Sequence, residues 1–129
     1  MDSQKENHKK MVENYIAAYN GMDGEGMVKD LSENVVFENI ARNKVTMRLD
    51  GKAAFKAQVE TALSYFFERK QTIRSWEFGD ESLCVDIDYW AILAVDFPNG
   101  PKAGEQLRMR GRSEFSFENG KIKRIRDLS

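Results

Sequence analysis

The sequence contains few residues of the types that bind metals or form disulfides. Its 129 residues include one cysteine, Cys84, and one histidine, His8. A single cysteine excludes an internal disulfide and makes a reducing cytoplasm the expected location. Two such residues cannot supply the cluster of a zinc site, so we expect no metal. We expect Cys84 to be a small apolar filler on a strand, and His8 to be exposed near the start of the first helix.

Long apolar runs and an excess of one charge are also missing. No apolar stretch is long enough to cross a bilayer, and no signal peptide is recognised. The chain carries 20 basic and 21 acidic residues, for a net charge of -1. This balance does not favour binding to nucleic acid or to an anionic membrane. The length is sufficient for one domain, 1–129, with a core of its own.

Three segments have the apolar spacing of helices. The first is predicted over Gln4–Tyr19, with Tyr15 and Tyr19 one turn apart on its apolar stripe, and a short helix over Glu25–Leu31. The third is predicted to start at an Asp50 N-cap and to run to about Arg69. Five apolar residues share one face of this helix: Phe55, Val59, Ala62, Leu63 and Phe66.

The remaining apolar segments alternate or are β-branched, which predicts strands. They are Asn34–Ile40, Lys44–Leu49, Gln71–Gly79, Ser82–Val95, Glu105–Phe117 and Lys121–Asp127. The helices come first and hairpin-connected strands follow. This order indicates an α+β fold in which the helices lie on one face of a curved antiparallel sheet.

Residue parity separates two faces on the predicted strands 82–95 and 105–117. The odd positions are mostly apolar and predict the core face. On the even positions, Asp86 and Asp88 lie opposite arginines, which favours cross-strand charge pairing over a nucleic acid site. Because Trp90 interrupts the charges, this even face is also a candidate surface for a homodimer. The alternative is that the last strand and the loops cover it. The dimer surface would comprise Asp86, Asp88, Trp90, Arg110 and Arg112.

The last segment is a predicted hairpin around the residues Glu-Asn-Gly at 118–120, since Asn-Gly is a strong hairpin turn. A three-residue turn would put Ile125 and Asp127 on the apolar face. A two-residue turn would shift the phase by one, so that Ile122 would face the core and Asp127 would point outward. The sequence does not decide between these two registers. In the second, the Asp127 carboxyl would be solvated, or paired with an arginine such as Arg126 or Arg112.

The order of these elements resembles a known family. The evidence is the two tyrosines of the first helix, the segment LSENVVFENI at 31–40, the amphipathic third helix and the closing segment FSFENGKIKRIRDLS at 115–129. Together they resemble the SnoaL-like branch of the nuclear transport factor 2-like superfamily, which includes ketosteroid isomerases, epoxide hydrolases of the limonene-epoxide type and polyketide cyclases. The resemblance implies a cone-shaped sheet wrapped around the N-terminal helices, an apolar pocket at its open end, and dimers through the sheet.

The resemblance also assigns candidate site residues. The acid of the family's last strand falls on Asp127. The general base of the isomerases falls on Asn39, whose amide cannot abstract a proton, and Glu38 is one residue out of phase. The Arg-x-Asp motif of the epoxide hydrolases has only Asp86-Ile87-Asp88 as a counterpart. Steroid isomerisation by the usual base and epoxide opening are therefore not favoured. Tyr15 is a further catalytic candidate, and the expected substrate-binding residues are Tyr19, Phe37, Phe55, Val59, Leu63, Trp76, Tyr89 and Met109.

These residues suit proton transfer next to a carbonyl group. Apolar surroundings raise the pKa of a carboxyl group toward neutrality, so Asp127 could both accept and donate a proton. A tyrosine hydroxyl or the Asn39 amide could hold the enolate oxygen. We therefore expect a cofactor-independent isomerase, cyclase or lyase that acts on a small apolar carbonyl compound. The alternatives are a ligand-binding protein without catalysis, as the missing base on the first strand suggests, and a protein-interaction module with a solid core.

Overall fold

The computed structural model describes residues 3–129, which form three helices and six strands. The helices are α1 (Ser3–Asn20), α2 (Gly24–Val28) and α3 (Lys52–Leu63). The strands are β1 (Leu31–Ala41), β2 (Lys44–Asp50), β3 (Phe66–Phe78), β4 (Ser82–Leu93), β5 (Gln106–Glu118) and β6 (Lys121–Leu128). No helix in this range is long and apolar enough to cross a membrane.

The six strands form one curved sheet in the order β2-β1-β6-β5-β4-β3, and the predicted α+β architecture is confirmed. Neighbouring strands are antiparallel with one exception, because β1 and β6 pair in parallel. The sequence pattern predicted an antiparallel sheet throughout, since it showed only the hairpins. A parallel pair needs a long connection, which four strands and a helix supply here. Strand β6 therefore lies between β1 and β5, with a hydrogen-bonded neighbour on each side.

The helices and one face of the sheet form the core. Val12, Met27 and Phe55, one from each helix, are all buried and belong to the same cluster as Leu83 of β4 and Phe115 of β5. The odd-numbered positions of β4 and β5 thus face the core, as their alternation predicted. The exception is Met109, which is 47% exposed at the opposite end of β5 from the buried phenylalanines.

The largest difference from the predicted elements lies between β2 and β3. Asp50 is the last residue of β2 and its carboxylate pairs with the Arg48 guanidinium at 3.1 Å, so it does not cap α3. Gly51 holds the N-cap position with a φ of 95°, which glycine adopts without strain. Helix α3 ends at Leu63, and Phe66 starts β3 opposite β4. The apolar residues keep helical spacing beyond the end of α3, but the residues from Phe66 onward pair with β4 and form a strand instead.

Helix α1 buries its histidine. His8 precedes Val12 by four residues and Tyr15 by seven, so it lies on the buried face of the helix. Its side chain is 5% exposed, and its ring stacks on that of Phe117 with the centroids 3.8 Å apart. The prediction of an exposed histidine is wrong, because it was based on how close His8 is to the start of the helix and not on the helix face that His8 occupies.

The last hairpin has the two-residue turn. Asn119 and Gly120 have φ values of 53° and 74°, the left-handed conformation that a tight Asn-Gly hairpin turn requires. Glu118 pairs with Lys121 on either side of this turn. By the alternation of a regular strand, this register would point Asp127 away from the core.

A β-bulge in β6 reverses that outcome. Phe117 pairs with Ile122, and the next step advances one residue on β5 but two residues on β6, which leaves Lys123 as the extra residue. Because the bulge changes the phase of the strand, Ile122 and Ile125 are both fully buried. Asp127 therefore returns to the inner face, contrary to the prediction for a two-residue turn.

Candidate active site

Asn39, Asp127 and Ser113 form a row across three neighbouring strands. Asn39 of β1 pairs with Asp127 of β6, and Asp127 pairs with Ser113 of β5. Residues that pair across adjacent strands share a face of the sheet. The register therefore places one carboxyl group between an amide and a hydroxyl group on the inner face, and the bulge in β6 brings the carboxyl group into this row.

Two adjoining cavities border the row. The inner cavity, about 220 Å³, lies between the sheet and the helices. The side cavity, about 290 Å³, shares Tyr19, Asn39 and Asp127 with it. Apolar and aromatic side chains form most of the inner lining, which comprises Tyr15, Tyr19, Met27, Phe37, Asn39, Met47, Phe55, Gln58, Val59, Ala62, Phe66, Arg69 and Asp127. Asp127 thus contacts both cavities.

Most residues of the predicted site lie around these cavities. All three catalytic candidates, Asp127, Tyr15 and Asn39, line the inner cavity. Four of the predicted substrate-binding residues line it as well, namely Tyr19, Phe37, Phe55 and Val59. Two more, Tyr89 and Met109, line the side cavity.

Leu63 and Trp76 line neither cavity. Leu63 lies at the end of α3 against Gly24 of α2. Trp76 of β3 is on the inner face, but two strands lie between β3 and β6, so three inter-strand spacings, roughly 14 Å, separate it from Asp127 along the sheet. Its ring stacks with that of Phe78 at a centroid distance of 6.1 Å. Neither side chain is in position to contact a molecule held at Asp127.

Burial dominates the electrostatics of Asp127. Removal of its carboxyl group from water raises its pKa from 3.8 to about 6. The hydroxyl group of Ser113 donates a hydrogen bond of 2.7 Å to Oδ1, which opposes the rise because it favours the charged form. A carboxyl group with a pKa close to neutrality can exchange protons with a substrate in both directions.

The two arginines considered as partners of Asp127, Arg126 and Arg112, do not pair with it. Arg126 contacts Glu38 at 3.4 Å and Glu114 at 3.5 Å, while Arg112 contacts Asp86 at 3.2 Å. Successive side chains of a strand point to opposite faces, so these guanidinium groups pair with acids on the other side of the sheet, although part of Arg112 also lines the side cavity. The same alternation keeps Glu38 out of the cavity lining, as its phase predicted.

The tyrosine hydroxyls around Asp127 remain protonated. Burial raises the pKa of Tyr15 well above its ordinary value, and the charge of Asp127 raises it further. Burial also raises the pKa of Tyr19 and of Tyr89, whose rings meet edge to face at a centroid distance of 6.3 Å. Neutral hydroxyls donate hydrogen bonds, so this wall of the cavity offers donors to an oxygen that gains negative charge.

Arg69 is a site residue that the sequence interpretation missed. It was placed at the end of the third helix, but it lies on β3, is 4% exposed, and lines the inner cavity. Its Nε donates to the backbone oxygen of Tyr19 at 3.1 Å, and its guanidinium carbon is 3.7 Å from the centroid of the Tyr19 ring. The available signal was strand alternation: read as a strand, this segment puts Arg69 on the same face as Gln71 and Ile73.

Two polar residues of the lining were also missed. Ser113 is 5% exposed, and its small size among larger apolar residues of β5 was the only sign. Gln71 lines the side cavity, and its side-chain oxygen is buried without a hydrogen-bond partner among residues 3–129. Its backbone is held by Asn20, whose Oδ1 accepts from the Gln71 amide at 2.7 Å.

The outer face of the sheet carries the charge pairs that the alternation predicted. Arg110 contacts Asp88 at 3.2 Å, and Arg112 contacts Asp86 and Glu77. A groove of about 590 Å³ crosses this face and includes Trp90, but it does not contain Asp127. The groove is larger in volume than the inner cavity, but its one carboxyl group, Asp88, forms ion pairs with Arg74 and Arg110.

Solved structures of low sequence identity share this fold. A proposed polyketide cyclase from Xanthomonas campestris pv. campestris is 19% identical, with a TM-score of 0.84 over 98% of this chain and 93% of the other. A proposed polyketide cyclase from Pseudomonas putida is 22% identical, with a TM-score of 0.75 over 92% and 88% of the two chains. A protein with a ketosteroid isomerase-like fold from Catenulispora acidiphila is 9% identical, with a TM-score of 0.74 over 92% and 84%.

These identities show a common fold and no more. No protein of curated function matches the chain in sequence. The sequence pattern of the SnoaL-like domain, however, matches residues 12–125, which include Asn39 and Ser113, while Asp127 lies two residues beyond the matched range. The chain therefore belongs to the SnoaL-like domain family and has the α+β fold of the nuclear transport factor 2-like proteins.

Proposed function

We propose that this protein is a cofactor-independent enzyme that transfers a proton on a small, largely apolar carbonyl compound, with Asp127 as the acid and base. The observation that carries the proposal is a carboxyl group with a pKa of about 6 in the lining of a mostly apolar cavity. A base with a pKa near the working pH is largely ionised and still returns the proton readily.

The proposed reaction begins at the carbon next to the carbonyl group. The Asp127 carboxylate takes a proton from this carbon, and the electron pair of the C–H bond passes into the enolate. In an isomerisation, Asp127 returns the proton at another carbon. In an aldol closure, the enolate carbon bonds to a second carbonyl carbon, whose oxygen receives the proton. The hydroxyls of Tyr15 and Tyr19 or the Asn39 amide donate hydrogen bonds to the enolate oxygen.

Solvent exchange tests the proposal before a substrate is known. The protein is incubated in D₂O with aryl ketones and 1,3-diketones, and loss of the α-proton signal is followed by NMR. Replacing Asp127 by Asn should lower the catalysed exchange about 100-fold or more, as expected for removal of a general base. Asp86→Asn is the matched control, because Asp86 lies on the outer face, where the Ser75 hydroxyl donates to it at 2.7 Å. Exchange by the Asp127→Asn variant at the wild-type rate would refute the proposal.

A ligand-binding protein without catalysis is the second candidate. The observation in its favour is Asn39, which stands where the isomerases of the family hold their base and cannot abstract a proton. This candidate predicts that apolar compounds raise the melting temperature, while no compound undergoes exchange. A protein-interaction module was expected to have a solid core, and the two cavities do not favour it.

A further inference from the structure

Arg69 is a buried cation on the wall of the inner cavity. The residue is 4% exposed, and it lines the cavity together with Asp127. Among residues 3–129, none of the ion pairs includes Arg69. A buried guanidinium is normally paired with a carboxylate or phosphate, because removing its charge from water is costly.

The contacts of Arg69 orient the guanidinium without neutralising it. Nε donates to the backbone oxygen of Tyr19 at 3.1 Å, and Nη2 contacts Sδ of Met27 at 3.5 Å. The rings of Tyr19 and Phe66 lie 3.7 Å and 5.8 Å from the guanidinium carbon. No described residue accepts a hydrogen bond from Nη1. Carbonyl, thioether and aromatic groups carry partial charges only, so the full positive charge is left for a ligand.

Asp127 is not the missing partner. Its pKa is set by burial and by Ser113, and Arg69 is not among the groups that shift it. Both charges do act on the same tyrosines: Arg69 lowers the pKa of Tyr15 and Tyr19, and Asp127 raises it. The two hydroxyls thus lie within range of both groups, with the cation and the carboxyl group on different parts of one cavity wall.

We propose that the inner cavity binds an organic acid, with the carboxylate of the ligand at Arg69 and its apolar body against Phe37, Phe55 and Val59. The planar carboxylate matches the fork of N–H groups on a guanidinium. The lining beside Arg69 is mostly apolar, which suits a body without further charges. This proposal rests on the proposed function, since it names the substrate class of the same cavity: a carbonyl compound that also carries a carboxylate.

Two pairs of isosteric probes test the proposal on the unmodified protein. Benzoate is compared with benzamide, and 2-naphthoate with 2-naphthamide, by titration calorimetry at pH 7.5. At least one acid should bind about tenfold more tightly than its amide, since charge-assisted hydrogen bonds are stronger than neutral ones. Equal or weaker binding of both acids, or no binding of either acid at millimolar concentration, would overturn the proposal.

Variants then assign the preference to Arg69. Arg69→Gln should lose most of the preference for the acid and keep the affinity for the amide, whereas Arg69→Lys should keep part of it. Arg74→Gln is the matched control, since Arg74 pairs with Asp88 at 2.8 Å on the outer face. Arg69 also holds the end of α1, so Arg69→Gln could fail to fold. In that case the Arg69→Lys variant and the wild-type comparison of acid with amide test the proposal. A preference unchanged in both Arg69 variants would contradict the assignment.

The Asp127→Asn variant separates this proposal from the proposed function. It should bind 2-naphthoate at least as tightly as the wild type, because it lacks a carboxylate in the same cavity. Acid binding that persists while Asp127→Asn retains full exchange activity would refute proton transfer by Asp127 and leave the anion site intact. Exchange that depends on Asp127, without a preference for acids, would refute the anion site at Arg69 and leave proton transfer by Asp127 intact.

Discussion

Replacing Asp127 by Asn should stabilise the protein at neutral pH. Asn has nearly the same shape, and its Oδ1 can accept the hydrogen bond that the Ser113 hydroxyl now donates to Asp127 at 2.7 Å. The variant removes the charge that burial disfavours and replaces one carboxylate oxygen by an NH2 group. A residue that supports the proposed reaction is thus expected to reduce the stability of the fold.

The magnitude follows from the pKa. The value is about 6 in the folded protein, against an ordinary 3.8. Between these values the folded state binds the proton more tightly than the unfolded state, so stability falls as the pH rises from about 4 to 6 and is then level. The pKa difference corresponds to about 3 kcal/mol of unfolding free energy. Asp127 is only partly buried because it borders the cavities, so we expect Asp127→Asn to gain about 1–3 kcal/mol at pH 7 and almost nothing near pH 4.

Urea denaturation between pH 4 and pH 8, followed by circular dichroism, measures this difference. Asp86→Asn is a control of opposite sign. Its hydrogen bond from Ser75 and the charge of Arg112 lower the pKa of Asp86. Its contribution is therefore present at neutral pH and lost in acid, and its removal should destabilise the protein at pH 7. An Asp127→Asn variant that is no more stable than wild type at pH 7, or whose gain does not change with pH, would refute the burial of this carboxyl group.

Three further predictions concern other side chains. Ser113→Ala removes the hydrogen bond that lowers the pKa of Asp127, so the acid limb of the pH–rate profile should move to higher pH; an unchanged midpoint would contradict this role. Trp76→Phe should leave the affinity for 2-naphthamide within about twofold, whereas Phe37→Ala should weaken it about fivefold or more, since truncating a buried aromatic contact is costly; calorimetry compares the two. The homodimer implied by the family resemblance remains a prediction: Trp90→Glu, on the outer face, should convert a dimer to a monomer in light scattering, and a monomeric wild-type protein would contradict it.

The architecture was predictable because burial of apolar surface produces regular patterns. Alternation along β4 and β5 identified the core face, and the same parity predicted charge pairing between the two aspartates and the arginines of the next strand. The structure shows these pairs as Asp86 with Arg112 and Asp88 with Arg110. The Asn-Gly turn identified the last hairpin. These features repeat over many residues, so one misread position does not change the outcome.

The position of Asp127 was not predictable by the same means. Parity counted from the turn gives the wrong face, because the bulge at Lys123 inserts one residue into β6. No residue type marks this bulge, as Lys123 is neither a glycine nor a proline. Two buried isoleucines three residues apart, Ile122 and Ile125, were the only indication, since they cannot share a face of a regular strand.

Arg69 was missed for a related reason. Apolar residues at helical spacing extend from α3 into β3, and the helical interpretation placed the arginine at a solvated helix end. Only the pairing of Phe66 and Arg69 with β4, which joins residues distant in sequence, resolves the choice between helix and strand. Local periodicity carries no information about such pairings.

Asp127 and Arg69 thus both lie where a regular pattern is interrupted. A buried charge without a full partner lowers the stability of the fold, so hydrophobic burial alone does not explain either residue. Positions that break local rules and cost stability are where function is expected to reside. The stability gained by Asp127→Asn at neutral pH is therefore a direct measure of what the candidate site costs the empty protein, and it can be obtained before any substrate is identified.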